Sequence, residues 1–224
     1  MSGEGVDAAL VAERLAGVRS RLEAAGGGDV RIVAVTKGFG PDAVEAAVAA
    51  GLDDIGENYA QECVAKLEAA HPIRRPRVHF IGRLQRNKVR RLAGVVDVWQ
   101  TIDRPELGRE LARRAPGARV LVEVNISGEA AKGGVEPAAA PRLVGELGEL
   151  GLDVVGLMGI GPLAEPEAAR PGFRLLRGLV DELGLAECSM GMSADLEVAV
   201  QEGSTMVRIG RALFGERPPR PGGG

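Results

Sequence analysis

The sequence predicts a (β/α)8 barrel of the TIM type, and three observations support that fold class. Eight short apolar runs alternate with segments whose apolar residues recur at helical spacing. Eight such units suit a closed parallel barrel. No glycine fingerprint follows the first strand, so a doubly wound open sheet is the weaker alternative. No linker interrupts residues 1–217, where we expect one domain, and residues 218–224 are expected to form a disordered tail.

An amphipathic helix opens the chain. Val6, Leu10 and Leu15 belong to an apolar series at helical spacing over residues 6–25, and glycines from Gly26 onward end it. The next eight helices are predicted from the same spacing, and the first of them has Pro in its first turn. They span 41–50, 59–70, 84–92, 105–114, 137–150, 165–183, 194–202 and 211–214.

The strands between these helices are short and rich in β-branched residues. They span 31–37, 54–58, 77–81, 95–102, 119–126, 153–158, 186–190 and 204–209. Continuous apolar runs of this kind are typical of parallel strands that are buried on both faces. The sequence therefore predicts a sheet with helices packed around its outside.

Composition excludes several functional classes. Hydrophobic residues make up 45%, and the net charge is −3, which gives no overall attraction to nucleic acid or anionic lipid. Cys63 and Cys188 are far apart and form no metal-ligand spacing, so we expect both to be reduced and buried. The acidic N-terminus lacks a signal-peptide pattern, and no apolar stretch approaches the roughly 20 residues of a membrane helix. We expect a cytoplasmic protein.

The carboxyl ends of the predicted strands carry polar residues and glycines. In a parallel barrel these ends form one mouth, where binding and catalytic residues lie. The residues at these ends are Lys37, Glu57, Asn58, His79, Asn125, Met158, Gly159, Ser189–Ser193, Arg208 and Gly210. The sequence therefore predicts a ligand site at this mouth.

Lys37 ends the first strand. Burial there disfavours the ammonium form, lowers the pKa and leaves an amine that can attack an aldehyde. The alternative is a surface lysine whose head group stays in water.

The last two strand ends suggest an anion site. Barrels often bind phosphate with the loops after strands seven and eight. Ser193 would cap the following helix and donate to an anion, and Gly210 opens the last short helix. The alternative is an ordinary N-cap and an ordinary turn glycine. Arg208 requires a partner inside the barrel, which is either a bound ligand or a salt bridge with Glu57 or Glu123.

Several segments occur in an order and spacing that resemble one family. They are Ala34-Val-Thr-Lys37, Gly56-Glu-Asn-Tyr59 with Gln61-Glu62, His79-Phe-Ile-Gly82 with Leu84-Gln85 and Asn87-Lys88, Leu157-Met158, Ser189-Met-Gly-Met-Ser193 with Asp195, and Gly203-Ser-Thr-Met-Val-Arg-Ile-Gly210 with Phe214-Gly215. The chain resembles the YggS/PROSC family of pyridoxal 5′-phosphate-binding proteins, also called PLP homeostasis proteins.

The resemblance implies a barrel like the N-terminal domain of alanine racemase, with PLP (pyridoxal 5′-phosphate) bound at its mouth. It implies that Lys37 carries PLP as an internal aldimine, a Schiff base. It implies that Ser193 and Gly210 hold the phosphate and that Arg208 lies beside the pyridine nitrogen. Asn58 and His79 would lie near the ring. Because arginine only donates hydrogen bonds, it favours an unprotonated pyridine nitrogen. An unprotonated ring withdraws electrons from a carbanion less strongly, so this partner disfavours strong carbanion chemistry.

Three functions follow from these observations. The first is a monomeric carrier or buffer of PLP without catalytic turnover, for which other B6 vitamers are further expected ligands and PLP-dependent apo-enzymes are expected partners. The second is an amino-acid racemase, although the sequence has no room for a second domain, and Tyr59 is its single tyrosine. The third is a nucleic-acid-binding or interaction protein, suggested by the basic stretch from Arg74 to Arg91. Scarce aromatic residues favour a solvated surface there. Lys132 is a further candidate near the mouth.

Overall fold

Eight parallel strands close a barrel in strict sequence order, in a computed structural model that describes residues 5–129 and 133–217. The strand that opens the barrel pairs with both the second and the eighth strand, which completes the closure. The strands are β1 Arg31–Val35, β2 Asp54–Glu57, β3 Arg77–Phe80, β4 Val98–Ile102, β5 Arg119–Val124, β6 Asp153–Gly159, β7 Glu187–Ser189 and β8 Met206–Ile209. The predicted fold class is confirmed.

Helices surround the barrel and connect successive strands. They are α1 Ala8–Ala24, α2 Pro41–Ala49, α3 Ala60–Ala69, α4 Arg86–Leu92, α5 Pro105–Arg114, α6 Ala140–Glu149, α7 Arg170–Glu182, α8 Leu196–Gln201 and α9 Arg211–Phe214. Two 3-10 turns, Pro137–Ala139 and Pro166–Ala169, precede α6 and α7. If these turns are counted with their helices, the predicted first and last residues of every helix and strand lie within three residues of the observed ones. The predicted tail, 218–224, and Lys132 lie outside the described residues.

The strands have two different faces. The outward residues, such as Ala34, Ile55 and Leu157, pack with the helices in one large apolar core. The inward face holds a small apolar cluster of Val98, Leu121 and Met158. The remaining inward positions are largely polar, so the barrel axis holds charges and hydrogen bonds that must be satisfied locally.

We call the end of the barrel at which the strands begin the floor, and the opposite end the mouth. The first residues of several strands meet at the floor, where Arg31 lies 3.0 Å from Glu187 and Arg77 lies 3.3 Å from Asp54. Arg119 adds a third pairing, 3.5 Å from the Glu187 carboxylate. The floor is thus closed by paired charges.

The composition also led to expectations about the two cysteines and about membrane helices. Cys63 and Cys188 are both buried and unbridged, as predicted, and burial is the main cause that raises the pKa of each thiol to about 12. Among the described residues, no helix is long enough and apolar enough to cross a membrane.

Candidate functional site

Lys37 lies in the turn directly after β1. Its position continues the alternation that directs Val33 and Val35 toward the barrel axis. Its amine makes no hydrogen bond or ion pair with a described residue. Burial, followed by the positive charges of Arg217 and Arg208, lowers the pKa of Lys37 below its usual value. The predicted direction of this pKa shift is confirmed.

Side chains from α3 hold this lysine's turn on both sides. Lys66 Nζ donates to the carbonyl of Thr36 at 2.6 Å and to the Glu57 carboxylate at 2.6 Å. It also donates to Glu62 at 2.9 Å, and Glu62 accepts the backbone N–H of Gly38. Because Glu62 and Lys66 are one helical turn apart, a single face of α3 fixes the backbone before and after the lysine. This clamp was not predicted from the sequence.

Two buried oxygens at the end of β2 are without hydrogen-bond partners among the described residues. They are Glu57 Oε2 and Asn58 Oδ1. Burial raises the pKa of Glu57, although Lys66 opposes the shift. Gly82 permits the close approach of the next loop, because a Cβ there would lie 2.1 Å from the Asn58 carbonyl oxygen. Asn58 therefore presents an acceptor near the mouth.

Arg208 is buried inside the barrel without a carboxylate partner. Its guanidinium donates to the carbonyl and hydroxyl oxygens of Ser189, at 2.9 and 2.7 Å, and to the carbonyl of Gly159 at 2.9 Å. Burial lowers the pKa of Arg208 to about 10, so it remains a cation at neutral pH.

The salt bridges considered from the sequence are not formed, because Glu57 faces outward to Lys66 and no described residue forms an ion pair with Arg208. The charge is balanced only by neutral acceptors and by more distant carboxylates.

Glu123 places a carboxyl group on the inward face of β5, close to the mouth. It makes no hydrogen bond or ion pair with another described residue. Burial and the nearby negative charge of Asp103 raise the pKa of Glu123 to about 7, against the opposing charges of Arg208 and Arg83. The mouth therefore contains an acid that changes charge near neutral pH.

The loops after β7 and β8 meet through Ser193. Its hydroxyl oxygen accepts the backbone N–H of Ala212, at 3.2 Å, in the first turn of α9. The prediction that Ser193 caps the following helix is wrong, because α8 begins at Leu196 and its N-cap is Asp195. Ser193 caps α9 across space instead.

Several backbone donors surround this junction. The N–H groups of Ser193, Gly210 and Arg211 make no hydrogen bond with any described residue. Neither backbone strain nor crowding requires glycine at 210, where φ is −113° and a Cβ would make only ordinary contacts with Val35 at 3.4 Å. The absent side chain leaves room above these donors, as an anion site requires.

His79 occupies a deeper position than the other predicted site residues. It is fully buried on β3, where one ring nitrogen lies 2.7 Å from Asp54 Oδ1 and the other lies 2.8 Å from the Gln100 amide. Both nitrogens are therefore used inside the barrel. A contact between His79 and a ligand ring remains a prediction, and only the ring face is available for it.

The basic stretch from Arg74 to Arg91 does not form one surface. Its first members pair with carboxylates at the floor, as in Arg74 with Asp53 and Arg75 with Asp97. The later ones form no ion pair within the described part of the chain; they are Arg83, Arg86, Lys88, Arg90 and Arg91. The stretch is therefore divided between residues paired at the floor and unpaired residues in α4 and the loop before it.

The residues at the mouth together fit one kind of ligand. An amine with weakened proton affinity suits a carbonyl carbon, and the amides beside Ser193 and Gly210 suit an anionic group. Arg208 offers donors to an acceptor inside the mouth, and Asn58 offers an acceptor. These donors and acceptors match a small anionic aldehyde with a ring acceptor.

Comparison with known proteins agrees with this chemistry. Residues 6–218 match the family described as alanine racemase, N-terminal domain. A pyridoxal phosphate homeostasis protein of Aquifex aeolicus is 44% identical over 223 residues, which cover 92% of this chain and 97% of the relative.

Solved structures with the same fold are also similar to this chain. PipY of Synechococcus elongatus, with PLP bound, superposes with a TM-score of 0.79 at 32% identity, covering 92% of this chain and 100% of PipY. An alanine racemase of Clostridium difficile superposes with a TM-score of 0.78 at 15% identity. It matches 96% of this chain but 59% of the racemase, and this likeness concerns the fold alone.

Proposed function

The chain belongs to the alanine racemase N-terminal domain family and, within it, to the pyridoxal phosphate homeostasis proteins, and on this premise we propose that it binds PLP at the mouth of its barrel through Lys37. The observation that carries the proposal is a pair of partly or fully buried cations, Lys37 and Arg208, that have no carboxylate partner among the described residues. Buried charges normally require pairing. A bound anionic cofactor supplies it.

Each mouth residue then has a role. Lys37 forms the Schiff base, which is the covalent link that the bound aldehyde supplies. The amides near Ser193 and Gly210 hold the phosphate, and the Ser193 hydroxyl donates to it while its oxygen stays bonded to α9. Arg208 lies beside the pyridine nitrogen. Asn58 contacts the ring, and His79 contacts it by its ring face.

The site suits holding the cofactor better than turning over a substrate. Arg208 keeps its donors in place and stays protonated, which disfavours a positively charged ring nitrogen. Tyr59 is 43% exposed at the start of α3 and is not buried against the mouth. These points support a carrier or buffer of PLP without racemase turnover.

The wider functional setting is also part of the proposal. We propose a monomer that exchanges PLP, and other B6 vitamers, with the solution or with PLP-dependent apo-enzymes, and that binds no nucleic acid. We propose that residues 1–217 act as one domain, because α1 packs on α2, α8 and α9 of a closed barrel. Two unbridged cysteines support a cytoplasmic location.

An absorbance titration with PLP tests the assignment of Lys37. Wild type and a Lys88→Ala control should develop a visible Schiff-base band, and Lys37→Ala should lose it while keeping weak binding through the phosphate contacts. If wild type takes up no PLP, the proposed function is wrong. If Lys37→Ala keeps the band, the assignment is wrong.

Turnover requires a separate assay. PLP-loaded protein incubated with a single alanine enantiomer should leave its optical purity unchanged. Interconversion at an enzyme-like rate of about 1 s⁻¹ or more would favour the racemase instead.

A further inference from the structure

A line of buried polar side chains crosses the barrel from mouth to floor. Arg208 donates to Ser189 Oγ at 2.7 Å, and Ser189 Oγ donates to Gln100 Oε1 at 2.7 Å. Gln100 Nε2 lies 2.8 Å from His79 Nδ1, and His79 Nε2 lies 2.7 Å from Asp54 Oδ1. No member is more than 4% exposed. We call these five residues the axial network.

The two end groups of the axial network can each play one role only. Asp54 is an acceptor: burial would favour its neutral form, but the His79 hydrogen bond and the positive charge of Arg77 hold the pKa of this carboxyl below its usual value. Arg208 is a donor, because a guanidinium has no acceptor. The network thus ends in a pure acceptor at the floor and a pure donor at the mouth.

These ends determine the orientation of every group between them. The Asp54 carboxylate requires a proton on His79 Nε2, which leaves Nδ1 as an acceptor. Gln100 must then direct its amide N–H groups to His79, and it also donates to the sulfur of Met206 at 3.1 Å. Its oxygen faces Ser189, so the hydroxyl proton points away from Arg208 and a lone pair faces the guanidinium.

We propose that Asp54, His79, Gln100 and Ser189 are positioning residues that hold the guanidinium of Arg208 from inside the barrel. Arg208, Ser189, Gln100 and His79 each donate to the next group, in a single direction from the mouth toward Asp54 at the floor. The proposal rests on the proposed function in one respect, namely that Arg208 acts on the cofactor ring.

Removing the floor acceptor should reverse this direction. Without a carboxylate at position 54, neutral His79 gains by protonating Nδ1 and donating to a rotated Gln100 amide. The amide N–H groups then face Ser189, so its hydroxyl oxygen must accept from both Gln100 and Arg208, and the hydroxyl proton loses the Gln100 oxygen as its acceptor. Finding another acceptor for that proton requires the hydroxyl to rotate, which weakens the hydrogen bond that the charged guanidinium makes strong.

The tautomer of His79 can be measured without changing the protein. The sequence has two histidines, and His71 is exposed, so it serves as an internal reference in a ¹⁵N spectrum of imidazole-labelled protein. We expect wild-type, PLP-free protein to show neutral His79 protonated on Nε2. An Nδ1–H tautomer or a doubly protonated ring at pH 7 would overturn the proposal.

Substitutions at Asp54 test the coupling to the mouth. Asp54→Leu removes the acceptor at similar size, and we expect the Nδ1–H tautomer and a PLP dissociation constant roughly tenfold higher. Asp54→Asn keeps an acceptor oxygen and should stay within about twofold of wild type. Asp53→Asn changes the exposed neighbour that pairs with Arg74 and is the matched control. Equal PLP affinity of Asp54→Leu and wild type would refute the coupling.

Ser189→Ala separates transmission through the network from a general loss of structure. This variant cuts the link to Arg208, so adding Asp54→Leu to it should raise the dissociation constant no further. Additive effects would mean that Asp54 acts by another route and would contradict the proposal. If wild type binds no PLP, the proposed function fails, while the His79 tautomer still decides whether the axial network has the stated direction.

Discussion

At the floor of the barrel the charged residues of the strands are paired, whereas at the mouth Lys37, Arg208 and Glu123 have no ionic partner among the described residues. Arg31 and Arg119 share the carboxylate of Glu187 at the floor. Lys37 and Arg208 form no ion pair at the mouth within the described chain, and both have pKa values below the usual ones. The same strands form both ends of the barrel. We therefore interpret the paired charges at the floor as ones that stabilise the fold, and the unpaired charges at the mouth as ones that a ligand would pair.

Directly below the mouth, Lys66 and Glu57 form an ion pair that is buried, unlike the partly exposed pairs at the floor. Lys66 is 4% exposed and pairs with Glu57, which is fully buried. Lys66→Met would leave Glu57 uncompensated, and we expect a loss of about 3–5 kcal/mol in the free energy of unfolding at pH 8. The loss should be smaller at pH 5, because a protonated Glu57 needs no partner. Urea unfolding at both pH values measures it, with Lys88→Met, at a half-buried lysine that forms no ion pair with a described residue, as control. A loss below about 1 kcal/mol at pH 8 would show that this pair behaves like a surface pair.

Glu123 should show that an unpaired mouth charge costs stability. An unfolded glutamate releases its proton near pH 4.5, but Glu123 in the folded protein keeps it until about pH 7. The folded state therefore loses relative stability as pH rises through this window. Glu123→Gln does not titrate, so it should be more stable than wild type by roughly 3 kcal/mol above pH 7 and equal to it below pH 4.5. Unfolding at pH 8 and pH 4 checks this, with the exposed Glu13→Gln as reference. Equal stability at pH 8 would contradict it.

A substitution at the floor should lower the stability of the protein and leave its PLP affinity nearly unchanged. Glu187→Gln weakens two ion pairs whose arginines are 37% and 44% exposed, so solvent reduces their strength. We expect a loss of about 1–2 kcal/mol in stability. PLP affinity should stay within about twofold, since Glu187 lies outside the axial network. A tenfold loss of affinity would mean that the two ends are not separable in this way.

An exposed ion pair should show the smallest effect of an ion pair on the free energy of unfolding. Arg142 is 84% exposed and lies 2.7 Å from Glu146, one turn further along α6. Arg142→Ala should change the free energy of unfolding by less than about 0.5 kcal/mol, because water screens the pair. A thermal melt beside wild type is sufficient. A larger loss would require a role for this residue beyond ion pairing.

The fold and much of the mouth could be predicted from the sequence because both follow from local patterns. The apolar runs located all eight strands, and the strand ends located Lys37 and Arg208. The axial network could not be predicted, because Gln100 and Ser189 are 89 residues apart and meet only across the closed barrel.

The errors have similar causes. Ser193 reads locally as the cap of the next helix, yet it caps α9, which lies beside it only in the folded barrel. The spacing of Glu62 and Lys66 is visible in the sequence, but their contacts with the backbone around Lys37 depend on how α3 packs. Local sequence determines what each residue offers, and barrel closure determines which groups meet.

Borohydride reduction followed by peptide mapping tests the central claim most directly. The sequence has four lysines, Lys37, Lys66, Lys88 and Lys132, so the reduced adduct can be assigned without ambiguity. Protein loaded with one equivalent of PLP should carry a single pyridoxyl-phosphate group on the peptide that contains Lys37. A label on another lysine or on the N-terminal amine, or no label, would contradict the account of the mouth as a site completed by the cofactor.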